Sequence, residues 1–473
     1  MQEENDMSRV IRIASPEGIL NEEQVKPVRL EDSVYLKRKE LLTRRIQEKD
    51  LDFAVLYGDR EHFANIEYFT RYDCRFEETL LIVRRDGKTW ILVGNEGMAY
   101  SYIIPYEVER LYYGNFSLQG QPRNGSSTLS QMMEAIGIRR GCRIGLAGYK
   151  YYEKAMEDKE AYTFDVPYYI VRSLHRAAGE DQITDFTREL TGLPDGLRMT
   201  VRDANEIAFI EYQSVTAANR VRKMLRSARP GMTEMEISRQ AEADLRESMT
   251  YANILAGKRS VSLGLKSPDD FSVLEDGSPM TISYSTRGSM CARSGMGATG
   301  YDKLGEDERK EFDGFYENYW HAIAAWYGAV TEGATGGDIF EIVHRYVGAE
   351  KFGVGLNPGH CIGMDEWSNS PVSEKSQLKL GSGLHFQCDI VACMNQPVMT
   401  AICEDTVVIA DGELRSELKS RYPDVYGRIM ERQQFMRETL GIALHEDLLP
   451  MSGYNAVMFP FLLDRKEMFA LEA

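Results

Sequence analysis

The sequence predicts a mixed α/β chain of two domains, an α/β first domain followed by an α+β second one, and three observations carry that prediction. First, 473 residues exceed what one hydrophobic core commonly holds. Second, helical periods alternate with short apolar strand-like runs through residues 31–190, the signature of an α/β layer. Third, TGLPDGLRMT at 191–200 concentrates Gly, Pro and Asp and reads as a linker. Long amphipathic helices and strands with one polar face follow it over 201–412.

Residues 1–30 form a polar, acidic leader with no continuous apolar stretch, unlike a signal peptide. Asp32 or Ser33 is placed to cap a helix whose apolar face carries Leu41, Leu42 and Ile46. LDFAVLYG at 51–58 reads as a buried strand. TLLIVR (79–84) and TWILVG (89–94) flank Asp86-Gly87 and read as a hairpin. A helical stretch near 127–139 leads to the strand-like RIGLAG at 143–148.

Beyond the linker, Ile207, Ile210, Ala217, Val221 and Leu225 line one side of a long helix that Arg229-Pro230-Gly231 stops. A second helix starts near GMTEMEI. A third carries Phe312, Tyr316, Tyr319, Ile323 and Trp326 at helical spacing, a stripe read as packing. Strand-like runs occupy 280–287 (MTISYSTR), 383–391 (GLHFQCDIV) and 400–412 (TAICEDTVVIADG). Residues 413–473 read as a helical extension, with a charged amphipathic helix near 423–438 and the apolar MFPFLLD behind it.

The charge balance argues against two classes of partner. With 73 acidic and 56 basic residues the net charge is −17, so phosphate surfaces of nucleic acids and anionic membranes are repelled. No apolar run approaches the roughly 18 residues of a membrane span. Seven cysteines, an odd number in a chain large enough to need no staples, favour reduced thiols and a cytoplasmic setting. A small peptide or amino-acid-like partner is the expectation that remains.

Successive residues of a strand point to opposite faces. His385, Gln387 and Asp389 therefore share one face, as do Ile402, Glu404 and Thr406, and as do Thr281, Ser283, Ser285 and Arg287. Three strands of one domain each offer a polar row, and polar groups crowded into a sheet layer need a reason.

The ordered set of a long helix, GMTE, a strand, NPGHCIG at 357–363, a further strand and CEDTVVI at 403–409 resembles the pita-bread superfamily of Xaa-Pro aminopeptidases, prolidases, methionine aminopeptidases and creatinase. LDFAVLYGDREHFANIEYFT at 51–70 likewise resembles the creatinase-type N-terminal domain of the proline-specific members. The likeness covers roughly residues 30–412 and implies a homodimeric hydrolase of peptide or related C–N bonds.

The resemblance also implies a dinuclear metal site of two Asp, one His and two Glu. His360 matches the histidine, Asp389 stands one methylene short of the first Glu, and Glu404 matches the last. The Asp positions fall on Ser283 and near Arg293 or Ser294. Trp367 stands where a further His belongs, and GKRSVSLGLKSPDD lacks the proton-shuttling one. Two negative charges cannot balance two divalent cations, so the expected centre holds at most one Mn, Fe, Co or Zn ion at His360, Asp389 and Glu404.

His360 and His385 are the candidate catalytic groups, His385 as a substitute base; Ser283, Arg287, Arg293 and Trp367 are the candidate substrate contacts. The alternative reading is a catalytically silent protein that binds a peptide, amino acid or protein partner. In it no metal is held, and Arg287 or Arg293 fills the vacated cation position against Asp389 or Glu404. Cys361, Cys388 and Cys403 adjoin the proposed ligands, and the pleat turns Cys388 and Cys403 away from them.

Overall fold

The computed structural model describes residues 9–125, 127–152, 163–245 and 248–472. The chain divides into two compact units, Leu30–Met199 and a second that joins Met1–Arg29 to Thr200–Ala473. The helix Asp32–Glu48 opens the first unit. Its N-cap is Glu31, which makes no side-chain cap bond, in place of the expected Asp32 or Ser33 cap. Asp32 instead sits in the first turn, where its charge favours the helix dipole.

The first unit holds a six-stranded sheet ordered 109–112, 89–93, 79–84, 53–58, 144–147, 183–185. The 79–84 and 89–93 strands pair antiparallel as expected of a hairpin, closed by Gly87 at φ +86°. The run read at 143–148 pairs parallel with 53–58. Val55, Leu80, Ile82, Leu92, Ile144 and Leu146 make one face of the core, and Met133, Ile170 and Leu174 from two helices close it. Thr128 starts one of those helices with a reciprocal capping box to Gln131.

The segment expected as a linker is largely part of this unit. Thr187–Thr191 is helical, the buried Arg198 donates to Asn65 Oδ1 at 2.7 Å, and Tyr68 donates to the Leu197 carbonyl at 2.9 Å. These hydrogen bonds tie 192–199 to the first unit, and the break falls between Met199 and Thr200.

The second unit is built on an eight-stranded sheet. Its path runs 360–361, 385–388, 398–409, 289–297, 278–286, 254–256, and 392–395 and 448–450 also pair with 398–409. The aromatic stripe of the helix Glu306–Ala329 is core, as its spacing predicted. It also anchors the site strands from behind. Tyr319 donates to the Ile390 carbonyl and accepts from the Cys403 amide, both at 2.7 Å, while Trp326 donates to the Pro358 carbonyl at 2.9 Å.

Neither the leader nor the extension stands apart. Val10–Ala14 is a strand paired antiparallel with Glu467–Leu471. Glu23 accepts from Arg432 Nε at 3.0 Å and from the Gly453 amide at 2.9 Å, and Arg432 also reaches Glu211 at 2.7 Å. Met458, Phe459, Phe461 and Leu462 of the apolar tail are buried. Short apolar segments without a period carry no signal of their partner, which is why residues 413–473 read as a helical add-on although they end in two strands of the unit.

Candidate active site

Sheet register decides which side chains meet. Ala292 lies opposite both Glu404 and Ser283, Gln387 lies opposite both Thr406 and His360, and the same antiparallel register sets Asp389 across from Glu404. One face therefore carries Ser283, Ala292, Glu404, Thr406, Gln387, Asp389, His385 and His360. Cys291, Arg293, Cys403, Asp405 and Cys388 belong to the other.

His360 is fully buried, and its place depends on the glycine before it. Gly359 has φ +108°, and a Cβ there would sit 2.9 Å from Trp326 Nε1 and 3.0 Å from the Gln387 carbonyl oxygen, so only glycine lets the chain pass. The His360 ring stacks on Trp367 with centroids 4.2 Å apart and planes 16° apart. Its Nδ1 donates to the Cys361 carbonyl at 3.3 Å, which leaves Nε2 with a lone pair and no hydrogen-bond partner.

Three carboxylates converge on that Nε2: Glu366 at 3.3 Å, Asp389 at 3.7 Å and Glu404 at 3.9 Å. Glu366 was missing from the sequence reading. Its loop folds back on the His360 strand through Cys361 N to Asn369 O at 2.7 Å and Ser368 N to Cys361 O at 3.0 Å. The available signal was the acid pair Asp365-Glu366, held between Met364 and Trp367 just after the histidine. Glu366 is 31% exposed, whereas Asp389 and Glu404 are buried.

Among the described residues no Lys or Arg pairs with these three acids. Burial raises Asp389 to about 7, reinforced by the Glu404 charge and opposed by His360. Burial also pushes Glu404 well above the carboxylate range, with the Glu366 charge adding to it and the Gln387 amide pulling back. Glu366 is raised mainly by burial. His360, Glu366 and Glu404 offer donor atoms within 4.8 Å of one another, and Asp389 Oδ2 lies 3.7 Å from the same imidazole nitrogen. The donor set fits one divalent ion: three carboxylates more than balance its charge.

Other expectations are corrected. Arg293 does not meet Asp389 or Glu404 side chains. It is fully buried on the opposite face, paired with both Asp405 oxygens at 2.9 and 3.0 Å, donating to the Val457 and Ala292 carbonyls at 2.7 Å and lying over the Tyr454 ring. Arg287 follows the 278–286 strand and donates to the Ser248 carbonyl at 2.5 Å. Ser283 is engaged with the Asn253 backbone, and Ser294 with Thr281, Thr400 and the Met280 carbonyl.

Burial drops His385 to about 3, which keeps it neutral at physiological pH. Its ring bonds the Gly288 backbone, and its Nε2 has no partner. Cys361 is pushed up to about 12 by burial, and Cys388 and Cys403 are raised in the same way, which keeps these thiols protonated.

Residues 212–411 match the family model of Metallopeptidase family M24. They lie in the second unit, which has the pita-bread fold. No curated protein matches the chain.

Solved structures give the same fold. An Xaa-Pro dipeptidase from Bacillus anthracis superposes with a TM-score of 0.59 at 13% identity, covering 80% of this chain and 96% of its own. An X-Pro aminopeptidase from Thermotoga maritima MSB8 has a TM-score of 0.59 at 16% identity over 79% and 95% of the two chains. A prolidase from Pyrococcus horikoshii OT3 has a TM-score of 0.60 at 14% identity over 79% and 95%. The four-residue cluster lies in the unit that joins Met1–Arg29 to Thr200–Ala473. No helix among the described residues is long and apolar enough to cross a membrane.

Proposed function

We propose that this protein is a peptidase-like hydrolase of short peptides or related C–N bonds that works with one divalent ion, Mn, Fe, Co or Zn, held by His360, Glu366, Asp389 and Glu404. The observation that carries the reading is the convergence of three uncompensated carboxylates on the unpartnered Nε2 of a buried histidine. An ion bound there supplies Lewis acidity that polarises a substrate carbonyl and lowers the pKa of water.

The protein's own groups supply orientation and proton handling. Trp367 holds the His360 ring flat, and the Cys361 carbonyl keeps the His360 proton on Nδ1 so that Nε2 remains a donor atom. Glu366 is the acid of the set that water reaches, so protons exchange with solvent at its carboxylate. His385 offers a fixed neutral acceptor on the same face. Similar folds in proteins named for Xaa-Pro peptides support proline-directed cleavage. A reducing cytoplasmic setting is supported by seven free thiols, and a homodimer by the resemblance.

The test is elemental analysis together with assays on Xaa-Pro dipeptides after loading with Mn, Co or Zn. One ion per chain, lost in Glu366→Gln and Glu404→Ala along with dipeptide turnover, is expected. Wild-type protein that takes up no ion and cleaves no dipeptide overturns the reading and leaves a silent binding protein in its place.

A further inference from the structure

With both arginines committed elsewhere, what stands beside Glu404 where a second cation would lie? The register puts Ala292 directly across from Glu404, and Met290, Ala292 and Ile362 pack with Met249 and Ile402 into an apolar floor on the same face. Ser283 and Ser294 have their hydroxyls in bonds within the protein. One donor does reach the carboxylate. Gln387, fully buried, directs its side-chain amide to Glu404 Oε1 at 3.1 Å and to the Met290 carbonyl at 2.7 Å.

A relay fixes which end of the amide faces Glu404. The Thr406 hydroxyl donates to Gln387 Oε1 at 2.8 Å, so its own oxygen accepts from Ser289 Oγ, also at 2.8 Å. A flipped amide would set its oxygen against both the Met290 carbonyl and the Glu404 carboxylate, two repulsive contacts in a buried site.

We infer that Gln387 is a positioning residue, held by Ser289 and Thr406, whose amide takes on Glu404 the place of a second cation and builds the site for one ion. The inference rests on the single-metal reading above. A neutral N–H satisfies one lone pair of Glu404 without adding charge, which leaves the carboxylate oriented toward His360 and able to bind one ion. An outer partner of this kind contributes roughly 10–100-fold in metal affinity.

The experiment measures Mn2+ binding to the full chain by calorimetry and elemental analysis, beside thermal unfolding of the metal-free protein. Gln387→Met is expected to weaken Mn2+ binding by roughly 10–100-fold. Thr406→Val keeps the amide and removes only the group that orients it, and a loss of several-fold is expected. This second variant decides the matter should Gln387→Met fail to fold. A residue that merely supports the fold would lower the unfolding temperature and leave the Mn2+ dissociation constant unchanged. Wild-type stoichiometry of two ions, or affinities within about twofold of wild type in the folded variants, overturns the inference while leaving the metal site standing. Wild-type protein that binds no Mn2+ overturns the single-metal reading itself, and the inference with it.

Discussion

Replacing Arg293 with Met tests whether this arginine belongs to the sheet or to the pocket. Its guanidinium meets both Asp405 oxygens at 2.9 and 3.0 Å, the Val457 and Ala292 carbonyls at 2.7 Å and the Glu404 carbonyl at 3.1 Å, with essentially no exposure. Methionine fills much of the volume but leaves Asp405 as an unpaired buried charge. Breaking one side of such a pair costs about 3–5 kcal/mol.

For a unit of this size that is a fall of roughly 10 °C in unfolding temperature. Denaturant titration followed by tryptophan fluorescence reads the loss. The double change Arg293→Met with Asp405→Leu is expected to recover a large part of it, because no unpaired charge then remains. A loss below about 1 kcal/mol in the single variant would refute the structural role. A variant of wild-type stability that has lost ligand binding would return Arg293 to the pocket.

Two further outcomes follow from the site. Asp389 holds its proton up to about pH 7 in the metal-free fold, whereas an unfolded Asp releases it near 4. The folded state is thus favoured by this group at low pH, and its contribution is lost as pH rises from about 4 through about 7. The stability of wild type relative to Asp389→Asn should therefore fall by a few kcal/mol between pH 4.5 and 8 in chelator, and saturating Mn2+ should stabilise wild type more at pH 8 than at pH 5.5. A pH-independent difference would sink this assignment. Gly359→Ala forces a side chain onto φ +108° and against Trp326 and the Gln387 carbonyl. A loss of about 2 kcal/mol or more is expected, with Mn2+ affinity reduced at least tenfold; unchanged calorimetric binding would show that Gly359 does not set the His360 position.

Much of the sheet's polar face was legible because the pleat has a period of two. His385, Gln387, Asp389, Glu404 and Thr406 were assigned to one side by counting along two strands, and register places them there. Arg293 was not legible in the same way. Its side depends on how the 278–286 and 289–297 strands pair across Arg287-Gly288, and a slip of one residue would turn it toward the pocket. Glu366 lies in a loop, where no period tells which way a side chain turns.

By itself the sequence determined the two-part architecture, the core stripe of the 306–329 helix, and one imidazole and two acids of the cluster, His360, Asp389 and Glu404. These are local properties: composition, periodicity and the order of motifs along the chain. Only the tertiary structure decided that a third carboxylate joins the cluster, that Arg293 serves Asp405 behind the sheet, and that the Gln387 amide reaches Glu404. Those facts depend on strand register, which brings together Gln387 and Glu404 17 positions apart and Arg293 and Asp405 112 apart, and on the return path of a loop, which turns Glu366 back onto His360.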